Sequence, residues 1–143
     1  MIMTTELART PLHEWHAAHG GRMVDFAGWS MPVQYTSIAA EHAATRNAIG
    51  LFDISHMGRL QFFGPDTVKF LDSVVTRRVT DMKPGQVRYA LICNQQGGIL
   101  DDVLVYRLKD ETTEPQTEPQ TDDAPSFQVV VNASNRLKIV EWM

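Results

Sequence analysis

Two adjacent aspartates, Asp101 and Asp102, interrupt the stretch QQGGILDDVLVYRL (Gln95–Leu108), which otherwise reads as a buried strand. Side chains alternate along a strand. Ile99, Asp101, Val103 and Val105 therefore share one face, and Leu100, Asp102, Leu104, Tyr106 and Leu108 share the other. Both faces are apolar, so one carboxylate enters the core with its face. That burial costs several kcal/mol unless the charge is hydrogen-bonded or neutralised. The chemistry open to such a group is to accept hydrogen bonds, orient a nucleophile and stabilise developing positive charge. Alternation alone does not choose between the two acids, and the Asp102 face is, if anything, the greasier.

Other side chains add to this pair. Tyr89, in VRYAL, and Met57, in ISHMG, are of the types that wall a flat ring and equally of the types that fill a core. Asn132 ends the run VVVN, where its amide can meet a ligand edge or cap the next helix. His56, beside Met57, has no acid or nucleophile at motif spacing and is expected in a structural or pocket-rim role. His13 and His16 have the i, i+3 spacing of a metal pair but no supporting ligand set, and are expected at the surface. Cys93 is the single cysteine, so neither an intrachain disulfide nor a CxxC metal site can form.

The elements that must position these residues follow from local signals. Pro11 to His19 suits a short helix stopped by Gly20-Gly21, and Met23 to Tyr35 a strand-like piece broken by Gly28 and Pro32. Ser37 caps a helix over Ile38 to Ile49 with Gly50 as its stop. A strand over Arg59 to Phe63 leads through Gly64-Pro65-Asp66 into a helix with Val68, Leu71, Val74 and Val75 on one side. Gln86 to Cys93 and Ile99 to Leu108 make a hairpin around Asn94 to Gly98, and a strand over Phe127 to Val131 precedes a helix begun by Leu137, Val140 and Glu141. That helix reaches the last residue without a cap, so more chain is expected beyond Met143.

The 143 residues, 43% hydrophobic and 21% charged, have the composition of a soluble globular protein. The net charge is −4, yet residues 110–123 hold six acids and no Lys or Arg, leaving the remainder at +2. Nucleic-acid binding is not suggested by so small a positive charge. With TEPQ repeated at Thr113 and Thr117 and no aliphatic residue beyond Ala124, the segment is expected to be a disordered acidic insert. There is no leader-like start and no membrane-length apolar run, so a cytoplasmic location is expected.

The blocks TPLHEWH (10–16), GRMVDFAGWSMPVQY (21–35), EHAATRNAIGLFDISHMG (41–58), GQVRYALICNQQGGILDDVLVYR (85–107) and VVVNASN (129–135) resemble the N-terminal part of the aminomethyltransferase family, the T-protein of the glycine cleavage system. The resemblance implies an α+β fold within a three-lobed cloverleaf around a folate channel. Residues 1–56 would be part of the first lobe and residues 57–143 most of a second, ferredoxin-like lobe with an antiparallel sheet and packed helices, the other lobes lying outside this chain. It implies transfer of the one-carbon unit from the aminomethyl-dihydrolipoyl arm of H-protein to tetrahydrofolate, with release of ammonia and no metal. It assigns catalysis to Asp101, with its carboxylate in a concavity lined by Met57 and Tyr89, and pterin contact to Met57, Tyr89 and Asn132. Asp102 is expected to be structural. Competing readings are a non-catalytic folate-binding relative in iron–sulfur cluster assembly, the folate-binding end of a larger amine oxidase or dehydrogenase, and a ligand-free interaction domain.

Overall fold

The computed structural model describes residues 6–108 and 125–143, so the acidic insert expected at 110–123 lies outside the described residues. The chain divides into two compact units, Met1–His56 and Met57–Met143.

The first unit holds β1 (Ala8–Arg9), α1 (His13–Ala18), β2 (Met23–Phe26), β3 (Trp29–Pro32) and α2 (Ile38–Asn47). β3 lies between β1, which it pairs in parallel, and β2, which it pairs antiparallel. The piece expected as one broken strand is thus a hairpin, turned by Ala27 and Gly28 at φ 52° and 82°. Two successive positive φ values match the right-handed twist of the flanking strands, which is why glycine sits there. Ser37 Oγ accepts the Ala40 N–H at 3.2 Å, as a cap should. α2 ends at Asn47, two residues before the expected Ile49.

His16 is not a surface residue. It is 4% exposed, with Nε2 2.9 Å from Asp53 Oδ2 and Nδ1 2.5 Å from the Tyr35 hydroxyl. Asp53 Oδ1 also accepts the Ser55 N–H at 2.9 Å. Burial pushes the Asp53 carboxyl up, but hydrogen bonds from His16 and Ser55 outweigh it and hold the group well below the usual carboxylate range. His13 is part-buried and bonds Ser30 Oγ at 3.0 Å.

The second unit runs β4 (Gly58–Phe62), α3 (Thr67–Val74), β5 (Val87–Cys93), β6 (Ile99–Arg107), β7 (Phe127–Val131) and α4 (Arg136–Trp142). Its strands form one antiparallel sheet in the order β4-β7-β6-β5. The inner face presents Ala90, Ile92, Val103, Val105, Phe127, Val129 and Val131 to a core that also takes Leu71, Val75, Val79, Met82 and Ile139. Each fully buried aliphatic or aromatic side chain contributes about 1.5–3 kcal/mol of transfer free energy, which is what holds the sheet to its helices. Leu71, Val74 and Val75 stand on the expected side of α3 and its C-cap, although the helix starts at Thr67, two residues after Pro65. Past α3, Asp72 accepts the Val79 N–H at 2.5 Å and the Thr80 hydroxyl, tying that loop to the helix.

Candidate functional site: a carboxylate pair split across one strand

The register of β5 on β6 decides where the aspartates go. Ile92 pairs with Asp101 but the next residue, Cys93, pairs with Ile99, so a bulge leaves Leu100 as the extra residue. Beyond it the alternation holds: Asp101 is 3% exposed in line with buried Val103 and Val105, while Asp102 is exposed and Leu104 is 38% exposed. At the bulge the alternation fails. Ile99 is 65% exposed and Leu100 packs against the core. The greasier face is therefore the outer one.

Asp101 is occupied by three donor groups. Its Oδ2 accepts the Asn132 backbone N–H at 2.9 Å, and its Oδ1 accepts Asn132 Nδ2 at 2.9 Å and Asn135 Nδ2 at 2.6 Å. Hydrogen bonds to an ionised carboxylate are the strong kind, and these offset its removal from water. Asn132 and Asn135 thus supply the donors that allow a charge inside this strand.

Asp102 stands on the outer face with different partners. Tyr89 donates its hydroxyl to Asp102 Oδ2 at 3.0 Å, and Asn132 Nδ2 lies 2.9 Å from Asp102 Oδ1 and 3.0 Å from its backbone oxygen. The Asp102 carboxylate accepting that proton is the main reason the Tyr89 phenol is pushed above its ordinary value. Pairings of Leu91 with Asp102, Tyr89 with Leu104 and Leu104 with Val130 place these residues on one face. Continued past the strand ends, the same registers set Asn132 across from Asp102 and Met57 across from Asn132. Three of the residues singled out from sequence, Met57, Tyr89 and Asn132, are thus brought to one face, and the acid on that face is Asp102.

The expected concavity holding Asp101 between Met57 and Tyr89 is corrected by this geometry. Asp101 points through the sheet, away from Tyr89, because Tyr89 pairs with Leu104 and Asp101 with Ile92. Asn135 is a site residue that the sequence reading misses; its place three residues after Asn132 in VVVNASN is the signal that a second carboxamide is at hand. His56 is 8% exposed and lies edge-on to Phe26 and Trp29, at 5.9 and 6.2 Å between ring centroids.

A flat ring rich in N–H groups needs acceptors set in an apolar wall. Asp102 supplies two acceptor oxygens, with exposed Tyr89 and Leu104 on the same face. No helix among the described residues is long and apolar enough to cross a membrane.

The chain is 46% identical over 138 residues to an aminomethyltransferase of Desulforamulus reducens, covering 96% of this chain and 34% of the relative. It is 48% identical over 132 residues to one of Rubrobacter xylanophilus, covering 92% and 32%. The crystal structure of glycine cleavage system aminomethyltransferase T from Bartonella henselae superposes with a TM-score of 0.81 at 35% identity, over 95% of this chain and 34% of that one. The chain thus spans about a third of the length of these relatives. The model of the GCVT N-terminal domain matches residues 12–143, and the chain belongs to that family.

Proposed function

We propose that this chain forms the N-terminal part of a tetrahydrofolate-dependent aminomethyltransferase of glycine cleavage. Such an enzyme passes the one-carbon unit carried on the lipoyl arm of H-protein to tetrahydrofolate and frees ammonia. The observation that carries the reading is the exposed Asp102 carboxylate, held by Tyr89 and Asn132 on the face that Met57 shares. On this reading tetrahydrofolate is the cosubstrate, lipoylated H-protein the partner, and the cytoplasm the setting.

Asp102, rather than Asp101, is the acid that meets substrate. Its carboxylate accepts hydrogen bonds from the pterin ring and faces the positive charge that develops as the carbon–nitrogen bond to the departing amine breaks. A preorganised charge of this kind gains most from interactions stronger in the transition state than in the ground state. Tyr89 and Asn132 hold the carboxylate in place, and Met57 and Tyr89 offer surface for the ring. Asp101 has its oxygens committed inside the sheet.

The test is Asp102→Asn in the full-length polypeptide, following ammonia release from aminomethylated H-protein at saturating tetrahydrofolate. Asn keeps the shape and one acceptor but removes the charge. The expected result is a loss of kcat on the order of 100- to 1000-fold with a much smaller change in KM for the folate. Near-normal turnover would refute the assignment and bring back the non-catalytic binding module.

A further inference from the structure

The buried half of the carboxylate pair carries an inference of its own. β7 is paired to β6 through Val130 opposite Leu104, but at the end of β7 the Asn132 N–H turns to Asp101 Oδ2, 2.9 Å away. A side chain thus takes over from the sheet ladder. Asn135 then occupies the N-cap position of α4, where Asn ordinarily accepts a helix amide through its side chain. It makes no such bond, and its Nδ2 instead reaches Asp101 Oδ1 at 2.6 Å. The Asn135 N–H closes the turn on the Asn132 carbonyl at 3.0 Å.

Asn132 links this buried clamp to the outer face. Its Nδ2 carries two protons and lies within 3.0 Å of three oxygens: Asp101 Oδ1, the Asp102 backbone carbonyl and Asp102 Oδ1. One amide therefore bridges two carboxylates on opposite faces of a strand. Asp102 is held at Oδ1 by Asn132 and at Oδ2 by Tyr89, so its orientation depends on where Asn132 stands. On the buried side Asn132 is tied to Asp101 through both its backbone N–H and its side chain.

We infer that Asp101 is a positioning residue: its buried carboxylate clamps the Asn132–Asn135 turn and, through the Asn132 amide, sets the Asp102 carboxylate in its working orientation. This rests on the assignment of Asp102 above. Asp101 touches no substrate. It fixes the side chain that fixes the reacting acid, and displacement of such a group by a fraction of an ångström is enough to cost turnover.

The experiment is a double-mutant cycle in the full-length polypeptide, with kcat, KM for tetrahydrofolate and thermal midpoint measured for Asp101→Asn, Asn132→Ala and the double variant. Asp101→Asn replaces the acceptor with a donor-bearing amide facing two other amides, and kcat is expected to fall on the order of 10- to 100-fold with KM changed less than about threefold. The double variant is expected to be no slower than Asn132→Ala alone, because the route from Asp101 to Asp102 is already cut. A merely stabilising role would lower the midpoint without that non-additivity. Multiplicative losses in the double variant, or unchanged kcat in Asp101→Asn, would overturn the inference. Should Asp101→Asn fail to fold, Asn135→Ala removes one donor from the same carboxylate, and its cycle with Asn132→Ala is read in the same way. Asp102→Asn run in parallel separates the two readings. If it retains turnover, the site assignment falls and the positioning role with it; if it loses turnover while the cycle is multiplicative, the positioning role alone falls.

Discussion

Asp53→Ala probes the buried network of the first unit. Asp53 and His16 have side chains 3% and 5% exposed, and the substitution removes a carboxylate that accepts from His16 and from the Ser55 N–H, both at 2.9 Å. Hydrogen bonds to a charged group contribute about 1.5–3 kcal/mol each, and water entering the gap recovers part of that, so the loss at pH 7 is about 3 kcal/mol. With a urea slope of about 2 kcal/mol/M for a chain of this size, the midpoint should fall by about 1.5 M. The transition is followed by the emission of Trp15, whose ring lies 5.8 Å from His16 and 6.3 Å from Tyr35. The pH dependence has a fixed sign. The Asp53 carboxyl titrates below its unfolded value of about 3.9, so its contribution is fully present above that pH and is lost as the pH falls through the folded pKa. The gap between wild type and Asp53→Ala should therefore be full at pH 7 and narrow below about pH 4. A midpoint shift under about 0.5 M at pH 7, or a gap that widens on acidification, would refute the reasoning.

Two further outcomes are expected. Asp102→Asn should bring the Tyr89 phenol, followed by its ultraviolet absorbance, down towards the ordinary tyrosine value, since the carboxylate that raises it is gone; an unmoved titration would break the Tyr89–Asp102 contact. Gly58→Ala should lower the melting temperature by several degrees, because the added Cβ would stand 2.6 Å from Val131 Cγ2 and 2.9 Å from Arg136 Cβ, an overpacking cost of about 1–3 kcal/mol; an unchanged melt would mean that β4 yields more easily than its pairing with β7 allows.

Much of the fold was legible because its signals are local. The strand at Phe127–Val131, the Ser37 cap and the apolar side of α3 depend on residue type and spacing within one or two turns. β1 was not legible: two residues are too few to show alternation, and their partners Trp29 and Ser30 are each 21 residues away. The buried state of His16 depends on Asp53, 37 residues on, and no neighbouring residue announces it. The resemblance to a known family points to the strand that carries the two acids, whereas the face on which each acid stands depends on register. Sequence gave no sign of the bulge at Leu100, which carries no glycine, nor of the pairing that puts Tyr89 with Leu104 rather than with the face of Asp101. Types of residue can be read along the chain, whereas the face on which a carboxylate emerges is settled between strands.

The central claim is that Asp102 meets the folate and Asp101 does not. It is tested most directly by carbon-13 resonance of aspartate carboxyls in the full-length polypeptide, with the two signals assigned from Asp101→Asn and Asp102→Asn. Addition of tetrahydrofolate should move the Asp102 carboxyl signal in a saturable way and leave that of Asp101 near its original position. A saturable shift of Asp101 with Asp102 unmoved would contradict the account.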